Sequence, residues 1–284
     1  MYKALNYWVF GGFGPNRTPY EFIDFAVKAR LDGVELTVGD CLPIEIDEAE
    51  CRKIKAYAKA KKVGLRTLAT GAGWGTWLCA GSAAERKAAL KFCEKYLQIA
   101  AWLGAETVLI VPGTTRADAT HKNLDYDVAW KNSVAGFKKL AKTAEKLKVN
   151  IGVENVWNHF LFSPIEWKIF LDEIGSKRVG MYFDVGNCQQ YVTAADYPKI
   201  LGKRIKAVHI KNWKGVNGGG DLSGFGEDIL AGDVDLKATI AALKKVDAKL
   251  PLTAEMIPFC RGAELNIPDA KLSLATCRRL AKLG

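Results

Sequence analysis

Short apolar runs alternate with longer amphipathic stretches along this chain from end to end. The apolar runs are ALNYWVF (4–10), GVELT (33–37), LRTLAT (65–70), TVLIVP (107–112), NIGVEN (150–155), GMYFDV (180–185), AVHI (207–210) and LTAEM (252–256). They are nearly continuous in apolar character, as strands covered on both faces must be, and this points to a parallel sheet. Between them apolar residues recur at helical spacing. The stretches are 19–30, 48–62, 84–104, 130–148, 164–174, 197–203 and 235–246, and a last one, DAKLSLATCRRLAKL (269–283), follows the eighth run. Eight strands each followed by a helix predict an α/β protein with one domain over 1–284, a single (β/α)8 barrel of the TIM type. An open doubly wound sheet would leave eight parallel strands unclosed, and no dinucleotide fingerprint supports it.

Three glycine-rich pieces fall where strand-to-helix loops belong: GGFGP (11–15), GAGWG (71–75) and VNGGGDLSGFGED (216–228). The last is the longest irregular segment and a candidate cover for a substrate, because loops at that end of a barrel build the active site. The net charge of +10 changes little. Much of it lies in 53–62 and 138–148, where lysines recur opposite alanine, leucine and valine, so it reads as solvated helix faces and not as a nucleic-acid surface. No apolar stretch approaches the roughly 18 residues needed to span a membrane, and the N-terminus has no signal-peptide pattern. Seven scattered cysteines without a C-x-x-C pair imply reduced, buried thiols and a cytoplasmic protein.

Candidate chemistry comes from four side chains: Glu154, Asp184, His209 and Glu255. Each lies at or near the C-terminal end of one of the last four apolar runs, which is the rim where barrel enzymes keep their catalytic groups. A single carboxylate in an apolar strand can be explained by a neighbouring lysine. Four such residues on consecutive strands would gather about three negative charges in one small volume, which burial disfavours unless a cation matches them. Oxygen-rich coordination with one imidazole suits manganese, magnesium or cobalt better than a thiolate zinc site.

The segments GVENVWN, YFDVGN, AVHIKNWK, GDVDL and TAEMIP, in that order, resemble the sugar and sugar-phosphate isomerase/epimerase superfamily, the xylose-isomerase-like barrels. Ketose 3-epimerases and pentulose-5-phosphate 3-epimerases are the most similar members. The resemblance implies that Glu154, Asp184, His209 and Glu255 are metal ligands and that Glu154 and Glu255 are also the acid/base pair. Epimerising a carbon beside a ketone removes its proton from one face and returns one to the other. Two opposed glutamates can do that while a metal, manganese first among the candidates, stabilises the enediolate. The resemblance also implies a small sugar or sugar phosphate as substrate, and a dimer or tetramer packed through the barrel helices.

Around this core stand further candidates for substrate contact: Asn187, Lys211, Arg261, His159, Trp8 and Trp74. Asn187 is either such a contact or a helix N-cap, and His159 is a contact or a packing residue. Lys211 would share the strand face of His209, and either binds a sugar oxygen or phosphate or forms a structural ion pair. His121 lies in a polar segment and reads as an exposed loop residue. Tryptophans at 8, 74, 77, 157 and 213 fall near strand ends, and aromatic walls suit the C–H faces of sugars. Asn187 stands where free-ketose epimerases carry histidine, and Phe160 where an acidic substrate-binding residue belongs. An inosose-type dehydratase on the same metal barrel is the nearest alternative function. A non-catalytic sugar-binding barrel and an endonuclease IV-like nuclease are more distant ones; the nuclease would need a histidine-rich zinc cluster, and the chain has three histidines.

Overall fold

The structure, a computed structural model, describes residues 1–10, 13–15, 17–74, 77–116, 122–215, 224–225, 229–255, 279–280 and 282–283. Eight strands alternate with helices: β1 (Tyr2–Asn6), α1 (Pro19–Ala29), β2 (Gly33–Thr37), α2 (Glu48–Ala60), β3 (Thr67–Ala69), α3 (Ala83–Leu103), β4 (Thr107–Ile110), α4 (Tyr126–Leu147), β5 (Asn150–Glu154), α5 (Pro164–Ile174), β6 (Val179–Asp184), α6 (Asp196–Leu201), β7 (Ile205–Ile210), α7 (Leu236–Val246) and β8 (Pro251–Ala254). Every neighbouring pair is parallel and β8 pairs with β1, so the sheet closes into a barrel in strict sequence order. This is the (β/α)8 barrel expected from the alternation. The expected helix over 269–283 lies almost wholly outside the described residues. Among the described residues no helix is long and apolar enough to cross a membrane.

Local signals set the element ends. Thr18 accepts a hydrogen bond from the Glu21 amide while Glu21 reaches back to the Thr18 amide, a capping box that starts α1 with Pro19 at its first turn. Asp47, Ser82 and Ser163 cap α2, α3 and α5 in the same way through their side chains. Gly104 and Gly175 end α3 and α5 in the left-handed conformation that glycine adopts without strain.

The end of the first strand departs furthest from expectation. The apolar run 4–10 reads as a single strand, but β1 ends at Asn6 and Tyr7–Phe10 form a 3-10 turn. The Asn6 side-chain oxygen accepts from the Trp8 amide at 2.8 Å and turns the chain there. Trp8 therefore belongs to a loop above the barrel.

Register decides which side chains face inward. Asn6 pairs with Glu35, Glu154 with Tyr182, Asp184 with His209, and His209 with Thr253. Residues two apart share a face, so Asp184 lies above Tyr182 and Glu255 lies above Thr253. Glu255 is one residue past β8, yet its amide still donates to the Ile210 carbonyl at 3.1 Å, which holds it at the rim.

Candidate metal centre and its cavity

Three carboxylates and an imidazole converge at the C-terminal end of the barrel. Each of Glu154, Asp184, His209 and Glu255 offers one ligand atom, and these atoms all lie within 4.8 Å of one another. All four residues are buried.

Asp184 is the most firmly built. Its backbone is clamped by the Asn155 side chain, which donates to the Asp184 carbonyl and accepts from its amide, both at 2.8 Å. One carboxylate oxygen, Oδ1, accepts from the amides of Gly186 and Asn187 at 2.9 and 2.8 Å. The other, Oδ2, is buried without a hydrogen-bond partner, although the Lys211 ammonium stands 2.8 Å from it. That ion pair offsets the burial of Oδ2, and a bound cation could take the place of the ammonium there.

His209 is held from both sides. Its Nδ1 lies 2.9 Å from Glu154 Oε1 and 3.3 Å from Glu255 Oε1, and its Nε2 lies 2.7 Å from Glu35 Oε1. Glu35, on β2, is completely buried. It also accepts from the Asn6 amide group at 2.8 Å and from the Tyr182 hydroxyl. With Glu35 accepting at Nε2, that nitrogen keeps its proton in either charge state, and loss of the Nδ1 proton would leave Nδ1 as the ligand atom among the carboxylates. This arrangement orients an imidazole toward a metal.

Glu35 was missed by reading the sequence. The signal was present in GVELT, a glutamate inside an apolar strand, as in GVE at 152–154. It went unused because β2 is remote in sequence from the four consecutive strands that carry the ligand set.

Lys211 lies just past β7 and turns into the same site. Its ammonium contacts both Asp184 and Glu255 and sits 5.1 Å from the Phe225 ring centre. Four buried carboxyl groups, counting Glu35, thus face two cationic groups, Lys211 and His209. A cation bound there would take the place of the proton on the His209 nitrogen that faces it.

These neighbours shift the protonation of the group. Burial, together with the negative charges of Glu255 and Asp184, pushes the Glu154 carboxyl up to about 7, against the pull of His209. Burial likewise raises Asp184, with Lys211 opposing. For Glu255 burial acts upward too, but Lys211 and His209 outweigh it and hold its carboxyl below the ordinary range. Burial would lower His209, yet Glu255 and Glu35 keep it protonated well above its usual value.

Two of the four, Glu154 and Glu255, line a cavity of about 520 Å³, and Asp184 and His209 lie buried behind them. Glu154, Glu255, Lys211 and Asn187 line its polar end, while Trp8, Phe13, Trp74, Trp157 and Phe225 supply aromatic walls. Of the residues named as candidate substrate contacts, Asn187, Lys211, Trp8 and Trp74 line this cavity. Asn187 sits in a turn and not at a helix start, and its side-chain nitrogen donates to the Asn155 carbonyl at 2.9 Å. Trp157 packs against Phe225 and Trp213 with centroids 5.5 and 5.9 Å away.

His159 is not brought to this cavity. Its ring meets the Arg116 guanidinium at 3.1 Å, and its backbone is in the left-handed region with φ of 57°. Phe160, read as a replacement for an acidic contact, is a core residue packed on Tyr126 and Phe170. Arg261 and His121 lie outside the described residues.

The sequence profile described as "Xylose isomerase-like TIM barrel" matches residues 23–280. The chain belongs to this family. No curated protein sequence matches it significantly. Among solved structures, D-psicose 3-epimerase with D-tagatose from Clostridium cellulolyticum H10 superposes with a TM-score of 0.81 at 17% identity, covering 99% of this chain and 97% of that one. L-ribulose 3-epimerase superposes at 0.78 with 15% identity, over 100% of this chain and 94% of that one. The IolI protein with a bound zinc atom superposes at 0.79 with 16% identity, over 100% and 99%. At these identities the likeness establishes the barrel, and the chemistry has to be argued from this chain's own side chains.

Proposed function

We propose that this barrel is a divalent-metal-dependent isomerase or epimerase of a keto sugar or sugar phosphate, with 3-epimerisation as the leading reaction. The observation that carries the reading is the pair Glu154 and Glu255. These glutamates reach one floor from β5 and from the end of β8, on either side of Asp184 and His209. Glu154, Asp184, His209 and Glu255 would hold the metal, and manganese suits an oxygen-rich set with one imidazole. A cation bound there would polarise the substrate carbonyl and stabilise the negative charge that develops on its oxygen. One glutamate takes the proton from carbon three on one face, and its partner gives a proton back on the other. A carboxyl near 7 in the unloaded site, as for Glu154, suits a group that must pass a proton in either direction at neutral pH.

The remaining residues position and exclude. Glu35 fixes the His209 ring, Asn155 fixes Asp184, and the aromatic walls keep water from an anionic intermediate. Asn187 and Lys211 are the described polar contacts for substrate hydroxyls. Five described cysteines are unpaired and buried, which supports a protein working in the reducing cytoplasm.

Incubation of the manganese-loaded protein with a panel of ketoses in deuterated water tests the reading. Uptake of deuterium at carbon three, with the inverted epimer as product and no loss of water, is the expected outcome. A product lighter by one water would make the enzyme a dehydratase. No exchange with any ketose or ketose phosphate would remove the epimerase reading.

A further inference from the structure

Resting on the keto-sugar reading, we propose that the cavity has a second, outer subsite, built from Phe13 and Trp74. It takes a ring attached to the end of the keto sugar remote from its carbonyl. The substrate class is then a glycosyl- or aryl-bearing ketose and not a free monosaccharide.

Size is the first argument. A hexose fills the space of about six waters, roughly 180 Å³ at about 30 Å³ each, whereas the cavity is about 520 Å³. The second argument is the distribution of polar groups. Hydrogen-bonding side chains gather at the floor, and among the described residues the outer wall offers just the Trp74 indole N–H and Thr70, whose hydroxyl already donates to the Val38 carbonyl at 2.7 Å. Lys211 is the sole cation among the described lining residues, and two carboxylates already engage it. The outer region thus suits a group recognised by its faces.

The third argument is that the outer rings are held in place yet left exposed. Phe13 packs edge-on against Trp8 with centroids 5.0 Å apart, and the Trp8 indole N–H donates to Asp40 at 2.8 Å. The other Asp40 oxygen accepts from the Gly14 amide at 2.6 Å and pins the loop that carries Phe13. Gly71 makes room for the ring, since a Cβ there would stand 2.8 Å from it. Trp74 is set beside them by the 3-10 turn Ala72–Trp74, whose Gly73 lies so close to Val111 that a Cβ would approach within 3.1 Å. Despite this support Phe13 remains 47% and Trp74 42% exposed. Fixed, solvent-facing aromatic rings at the mouth of a sugar pocket form a stacking surface for the C–H face of a second sugar or for an aryl ring.

Matched pairs test the proposal: a ketohexose and the same ketohexose carrying a glucosyl group on its terminal hydroxyl, assayed by deuterium exchange with manganese-loaded protein. The wild type should favour the ring-bearing member at least 30-fold in kcat/KM, mainly through KM. In the Phe13→Ala/Trp74→Ala double variant that preference should fall within threefold. Calorimetric binding of the corresponding hexitol and glucosyl hexitol, which cannot react, reads the subsite independently of turnover. A wild-type preference below threefold in binding, or one unmoved in the double variant, overturns the proposal. Failure of exchange with ring-dependent binding intact would sink the epimerase reading and leave the subsite standing.

Discussion

The two halves of the barrel do different work. Strands β5 to β8 deliver all four proposed metal ligands and Lys211, while β1 to β4 and their loops deliver Asn6, Glu35, Trp8, Phe13 and Trp74. Both halves bury carboxylates, but on different terms. Glu35 has each oxygen met by protein hydrogen-bond donors, His209, Asn6 and Tyr182, and is complete within the fold. Asp184 has one buried oxygen met by the mobile-stemmed Lys211 ammonium alone, and Glu154 is driven toward protonation. A carboxylate held by fixed hydrogen-bond donors on both oxygens orients, and one that leans on an exchangeable ion pair can bind. The difference marks which acids serve structure and which await a cation and a substrate.

The sharpest way to break this division is to neutralise one acid at a time. Glu154→Gln and Glu255→Gln each keep size and shape but remove proton transfer, so deuterium exchange should fall by about 10²–10⁴-fold. Exchange surviving in either variant at near wild-type rate would assign the catalytic pair incorrectly. A smaller loss is expected on the other half. Glu35→Ala should weaken manganese binding by about 10–100-fold, because the His209 ring loses the acceptor that fixes its tautomer. Glu35→Gln, whose amide oxygen can still accept from Nε2, should recover part of that loss. A purely structural Glu35 would instead lower thermal stability in both variants and leave the metal affinity of the folded protein unchanged.

Proton release gives a milder test. A cation binds the ionised carboxylate, so with Glu154 near 7 and His209 held protonated in the unloaded site, loading must expel protons. Manganese affinity should therefore rise by about tenfold per pH unit for each proton expelled as pH climbs from roughly 5.5 to 7. Calorimetry in buffers of different ionisation enthalpy should count at least one proton released near pH 6. An affinity flat across that window would mean the acids are already ionised before the metal arrives.

Much of this could be read from the chain, and the gaps have physical causes. The barrel follows from apolar runs and helical spacing, because parallel strands covered on both faces leave that mark on a sequence. Glu154, Asp184, His209 and Glu255 stood out for the same reason, as polar residues in segments otherwise selected for burial. Glu35 carries the same mark, but only closure of the sheet brings β2 within reach of β7. The end of β1 was misjudged because YWVF is as apolar as a strand, and only the Asn6 side chain, bonding to the Trp8 amide, turns it. Phe13 has no periodic signal at all. Its role depends on where Gly71 and Trp8 let a loop ring settle, which no local pattern records.

The central claim is that four side chains from consecutive strands hold a single catalytic cation, and metal titration of the purified protein tests it most directly. Manganese calorimetry should give one site per chain in the wild type. In Asp184→Asn, which removes the charge while keeping the Gly186 and Asn187 contacts available, binding should weaken by at least about 100-fold. Saturable one-to-one binding that is unchanged in Asp184→Asn, or no binding in the wild type, would contradict the account.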